Sequence, residues 1–164
     1  MTEPREQAVY EALAALGIPW VRHEHPPVFT VEEARIHWRD IAGAHCKNLF
    51  LRNKKGNHHY LLIAEFLKPV DLRAVAKALR DDRLSFGSDE RLARCLGLRP
   101  GEVSPFGLLQ NAGREVTVIL DAALASSSLV NFHPNVNTVT LTIATADLEK
   151  FLASRGNRVV RLPL

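Results

Sequence analysis

The run Asn48-Leu-Phe-Leu-Arg-Asn53, the connection Lys54-Lys-Gly-Asn57 and the run His58-His-Tyr-Leu-Leu-Ile-Ala64 decide the fold class of this chain. Two apolar, strand-length segments joined by a short charged turn containing glycine read as a β-hairpin. Leu49, Phe50 and Leu51 are apolar in succession. A strand with one wet face alternates instead, so this one is expected to be buried on both faces and central in its sheet. Lys47 then stands at the start of that strand, where a sheet end can project a cation into a cleft, and alternation sends its neighbour Cys46 to the opposite side.

Outward from the hairpin, strands and helices mix without a strict βαβ rhythm. Val9, Ala12, Leu13 and Leu16 recur at helical spacing between Pro4 and Gly17, which predicts a helix over 3–16. Residues 20–25 read as a strand closed by Pro26 and Pro27. Thr30 with Glu33 matches a capping box, Asp71 and Ser88 are placed to cap helices carrying Val75 and Leu92, and Thr145 is placed to cap a last helix. Strands are expected over 116–120, 129–132, 139–143 and 158–162, and the prolines and glycines of 99–107 fix an irregular loop. The class is therefore α+β, one domain over 1–164, with a mixed or antiparallel sheet flanked by helices.

Composition agrees with a packed domain. The chain has 164 residues, 46% of them hydrophobic and 24% charged. At 18.3 kDa, surface scaling gives about 8,000 Å² exposed when folded against about 26,500 Å² unfolded, enough to build a core without staples. Two cysteines, Cys46 and Cys95, are too few for a disulfide framework and are not spaced as a zinc site. No apolar run is long enough to span a membrane and the start is not a signal peptide, so the expected compartment is the cytoplasm. The net charge of +3 is unevenly spread, with eight basic and two acidic residues over 41–80. That imbalance points to an anionic ligand near the hairpin, with Arg52, Lys54 and Lys55 as candidate contacts.

Few motifs carry chemistry by themselves. P-loop, GxGxxG and GxSxG patterns are absent, which argues against NTPases, dinucleotide enzymes and serine hydrolases. His23, His25, His58, His59 and His133 have no metal-ligand spacing, so neither a metal nor another cofactor is expected. His133 stands out because it lies in Asn131-Phe-His-Pro-Asn135, at a strand end where proline restricts the backbone.

Three segments in this order resemble the prolyl-tRNA synthetase-associated editing domains, a family that includes free-standing deacylases and the insertion domain of bacterial prolyl-tRNA synthetases. They are Lys47-Asn-Leu-Phe-Leu51 with its basic hairpin, Gly101-Glu-Val-Ser-Pro105 with Phe106-Gly107, and Phe132-His-Pro-Asn135. His25-Pro-Pro-Val-Phe-Thr30 extends the likeness, which covers nearly the whole chain, while Ala42, Cys46 and Ala112 depart from the family's pattern. The resemblance implies a trans-editing deacylase that hydrolyses alanine from mischarged tRNA for proline, leaving open Cys- or Ser-tRNA as substrate, or a catalytically silent tRNA-binding module. It implies Lys47, Gly101 and His133 as catalytic residues and Asn48, Ser104, Pro105, Phe106, Gly107 and Asn135 as substrate contacts. The implied partners are the acceptor end of tRNA, met by Arg52, Lys54 and Lys55, and a prolyl-tRNA synthetase.

Overall fold

The structure is a computed structural model that describes residues 2–28 and 30–164. Phe29 of the resembling segment lies outside the described residues. The element order is α1 (Pro4–Ala15), β1 (Val21–Glu24), α2 (Val31–Trp38), β2 (Ala44–Asn53), β3 (His59–Glu65), α3 (Leu72–Leu79), β4 (Leu84–Phe86), α4 (Asp89–Leu96), β5 (Val116–Asp121), β6 (Leu129–Phe132), β7 (Val139–Ala144), α5 (Thr145–Arg155) and β8 (Val159–Leu162). Short 3₁₀ turns occupy Pro105–Gln110 and Ala122–Ser126. The expected α+β class is the observed one. Strands run in the order β1-β7-β6-β2-β3-β5-β8, with β4 also paired to β2.

β2 and β3 form the predicted hairpin, antiparallel from Cys46 opposite Glu65 to Arg52 opposite His59. Consecutive residues of β2 enter different cores, as their unbroken apolar run requires. Phe50 joins Leu61, Ile63 and Val118 under α1, α4 and α5. Leu51 joins Tyr60, Leu62 and Ile119 beneath Val75 and Ala76 of α3. The folded chain exposes 8762 Å², close to the scaling value.

Predicted caps mostly form. The Thr30 hydroxyl accepts from the Glu33 amide at 3.1 Å, the Asp71 carboxylate from Arg73 at 3.0 Å, and Ser88 from Arg91 at 3.2 Å. Thr145 departs from expectation. It is the first helical residue of α5, and its hydroxyl donates to the Ser127 carbonyl instead of capping.

β2 is longer than its apolar run, so Lys47 lies inside the strand and not at its start. The other difference is β4, whose three residues are too few to show a period. β6 pairs with Ala44 and His45 at one end of β2, and β4 pairs with Leu51, Arg52 and Asn53 at the other. Among the described residues no strand covers that edge between the two. The sheet therefore has a built-in gap along 46–50.

Because Leu51 is fully enclosed, Leu51→Ala should cost about 2–5 kcal/mol of unfolding free energy through reduced burial and a cavity. Val21→Ala, at 56% exposed, should stay within about 0.5 kcal/mol. Urea titration of both variants measures the contrast.

Candidate active site

The gap in the β2 edge opens on a cleft of about 210 Å³ lined by Cys46, Lys47, Asn48, Phe66, Gly101, Val103 and His133. Phe50, two residues on from Asn48, gives its carbonyl to the Gly87 amide on this outer edge at 2.9 Å. Main-chain groups two apart in a strand point the same way, so the Asn48 N–H and C=O also face the gap. The side chain of Asn48 shares a face with Ile63 and Phe50, and its buried Oδ1 has no donor among the described residues. A buried acceptor without a partner is costly, which marks a place where a ligand donor belongs.

His133 closes the other wall. Its Nδ1 lies 2.8 Å from the Val139 carbonyl. A carbonyl only accepts, so Nδ1 carries the proton and Nε2 keeps its lone pair. Burial, reinforced by His25 at a ring distance of 5.9 Å, holds the imidazole pKa below its ordinary 6.5. The ring is neutral at pH 7.

Gly101 adopts φ +84, a left-handed conformation that favours glycine, and the space beside it is open. Its loop is tethered through Glu102, which binds Arg5 of α1 at 2.6 Å and Arg99 at 3.1 Å. Burial alone would raise the Glu102 pKa, but the two guanidiniums outweigh it and hold the carboxylate low.

Lys47 borders the cleft as expected but from the other face of β2, and the expectation for Cys46 is corrected. Lys47 pairs with Ala64 and so faces the α3 side, where its ammonium donates to the Lys68 carbonyl; Lys68 in turn pairs with buried Asp121 at 2.9 Å. Cys46 does not turn away but lines the cleft beside Asn48, because the gap in the edge exposes both faces of the strand. Burial pushes its thiol up to about 12, so it is a poor nucleophile.

Five residues implied as substrate contacts are packed into the scaffold. Ser104 is fully buried, donates to Asn135 Oδ1 at 2.9 Å and caps the Phe106 amide at 3.0 Å. Pro105 and Phe106 are buried, with Phe106 edge-on to Phe132 and Phe151. Gly107 sits where a Cβ would fall 2.7 Å from Leu98. Asn135, at φ +63, fixes the turn after His133 by bonding Ser104 and donating to the Phe106 carbonyl. Together they hold the glycine loop against the histidine turn. Val103 and Phe66 are the cleft residues that sequence reasoning missed.

Arg52 folds back onto the carbonyls of Asn53 and Lys54, whereas Lys54 and Lys55 stand exposed at the hairpin tip. A larger hollow of about 710 Å³ lies near that tip, lined by Arg73, Lys77, Asp81, Asp82, Arg83 and neighbours. Its charges are of both signs, and among the described residues it holds no unpartnered buried side-chain group. The smaller cleft is the better site. Among the described residues no group of three or more His, Cys, Asp or Glu could hold a metal ion, and no helix is long and apolar enough to cross a membrane.

The model of the aminoacyl-tRNA editing domain matches residues 25–151, spanning the cleft and both of its loops. The chain belongs to this family. It is 40% identical over 152 residues to the prolyl-tRNA editing protein ProX of Acetoanaerobium sticklandii, covering 93% of each. The prolyl-tRNA synthetase associated domain-containing protein 1 of Bos taurus is 33% identical over 154 residues, 92% of this chain and 90% of that protein. The crystal structure of hypothetical protein APE2540 superposes with a TM-score of 0.72 at 18% identity, covering 93% of this chain and 97% of the other, a likeness of fold. The family assignment rests on the sequence matches.

Two outcomes are expected. Cys46→Ala should retain most of any turnover, and a trapped acyl thioester on Cys46 would overturn that assignment. His25, His45 and His133 are all pushed below 6.5, chiefly by burial. Their neutral forms stabilise the fold fully above about pH 6.5, and the contribution is lost as pH falls from there through their lowered values. The melting temperature should accordingly drop between pH 7 and 5, and less steeply in His133→Asn.

Proposed function

We propose that this editing domain, acting as one unit over 1–164, hydrolyses the ester of alanine mischarged on tRNA for proline, in trans and in the cytoplasm. The observation that supports this most is that one small cleft is lined both by Asn48, whose Oδ1 has no donor among the described residues, and by His133, whose Nε2 keeps its lone pair. Such a pair suits an α-ammonium group, and an aminoacyl ester presents one beside its reactive carbonyl.

An aminoacyl ester is already activated, so hydrolysis needs placement, a water and stabilisation of the oxyanion. The α-ammonium donates to Asn48 and His133. The carbonyl oxygen accepts from the outward Asn48 main-chain N–H and from the loop at Gly101. Water adds to the carbonyl carbon with help from the neighbouring ribose hydroxyl of the substrate. The ester C–O bond then breaks, the ribose oxygen takes one of the water's protons, the other passes to solvent, and alanine leaves as its carboxylate. Lys47, at the mouth of the cleft, neutralises the adjoining phosphate with the donors that Lys68 leaves unused. The narrow cleft excludes proline by steric clash. Lys54 and Lys55 meet the acceptor stem farther out, and a prolyl-tRNA synthetase is the partner that releases the mischarged tRNA.

Release of free amino acid from tRNAs charged with alanine, serine, cysteine and proline tests the reading. Alanine should be released fastest and proline spared; equal rates on alanine and proline would contradict it, and binding without release would mark a silent module. Lys47→Ala should weaken binding about 10- to 100-fold, the worth of a hydrogen bond to a charged group, with a smaller effect on the single-turnover rate at saturating protein. Lys54→Glu and Lys55→Glu should leave that rate unchanged while weakening binding, with a salt slope smaller by about 0.7–0.9 for each phosphate no longer neutralised.

A further inference from the structure

Behind Phe66 the cleft adjoins a second cavity of about 210 Å³, lined by Trp38, His45, Phe66, Glu65 and the two arginines Arg35 and Arg39, with Leu67 at its rim. Phe66 lines both spaces and is fixed there by its amide, which donates to the His45 carbonyl at 2.8 Å. Trp38 stacks on His45 with ring centres 4.5 Å apart and planes 10° apart, and meets Phe66 edge-on at 4.6 Å. The His45 ring is held in turn by the Ile41 carbonyl. These three rings are therefore a preset aromatic wall.

Two features of the wall are left unused by the fold. The indole Nε1–H of Trp38 is buried and finds no acceptor among the described residues. Arg35 of α2 and Arg39 just past its end, both exposed, make no ion pair among the described residues either. Glu65 is engaged, since its carboxylate accepts the Leu67 amide at 3.1 Å. Leu67 itself is 57% exposed.

We propose that this cavity seats a nucleobase, that of the 3′-terminal nucleotide carrying the ester, an inference that rests on the deacylase reading of the adjoining cleft. A flat base stacks on or beside the aromatic wall, a ring nitrogen of the base accepts the Trp38 N–H, and the guanidiniums of Arg35 and Arg39 face the phosphodiester. The order of parts along the protein matches the order along the substrate. His133 and Asn48 hold the aminoacyl end and Trp38 the base. Between them stands Lys47, on the same strand face as His45 and two residues away.

The test uses uncharged ligands, so it does not depend on hydrolysis. The two indole N–H resonances of the protein are assigned with Trp38→Phe, and adenosine 5′-monophosphate and ribose 5-phosphate are titrated separately. The nucleotide should shift the Trp38 resonance and ribose 5-phosphate should not. Binding of tRNA for proline is then compared with and without its terminal adenosine. Removal should weaken the wild type about 10- to 100-fold, Trp38→Leu by less than about 3-fold and Arg35→Ala nearly as much as the wild type. No shift with the nucleotide, an equal shift with ribose 5-phosphate, or the same loss in wild type and Trp38→Leu would overturn the proposal. A Trp38 shift that appears only as the protein concentration rises would assign the cavity to a second copy of the chain and overturn it too. If the adenosine effect holds while no ester is cleaved, the cavity stands and the deacylase reading falls.

Discussion

Everything in this fold hangs on the β2–β3 ladder, and on the fact that β2 is buried on both faces while one of its edges is shared. Phe50 and Leu51 point into separate cores, so the strand cannot slip by one residue without exchanging them. That fixed register lets the outer edge be left open over 46–50 at little risk. The unpaired stretch is short, flanked by β6 and β4, and recessed behind the 99–104 loop. An open edge is usually a hazard; here its exposed main-chain groups become the floor of a cleft.

The loops around that floor are held by polar contacts that are buried or nearly so. Ser104 and Asn135 tie the glycine loop to the histidine turn, and Glu102 ties the same loop to α1 through Arg5. Lys68 carries Asp121 on its ammonium and accepts Lys47 on its carbonyl. Removing Lys68 would therefore leave a buried carboxylate unpaired and disturb the seat of the cation at the cleft mouth together. Position and charge at the site are thus set by the same contacts that stabilise the scaffold.

Much of this is legible in the sequence. The unbroken apolar run 49–51 locates the central strand, and caps at Asp71 and Ser88 locate two helices, because both signals are local. β4 is not legible, since three residues carry no period and its place is set by the β2 edge. The facing of Lys47 and Cys46 escapes sequence reasoning for a related reason. Alternation holds along the strand, but which face meets the cleft depends on where β6 stops and β4 begins. The segments around Ser104 and Asn135 are visible as motifs, yet sequence does not separate residues that touch a ligand from residues that hold the loop. Phe66 and Val103 reach the cleft only through tertiary packing and leave no signal.

The central claim is that the gap in β2 receives the ammonium and carbonyl of an aminoacyl ester. The most direct measurement is a structure of the protein with a non-hydrolysable amide analogue of 3′-alanyl-adenosine. The account predicts the ammonium of the analogue within hydrogen-bond distance of Asn48 Oδ1 and His133 Nε2, and its carbonyl oxygen on the Asn48 main-chain N–H. An analogue seated instead in the charged hollow between Arg73 and Arg83, with Asn48 still unpartnered, would contradict it.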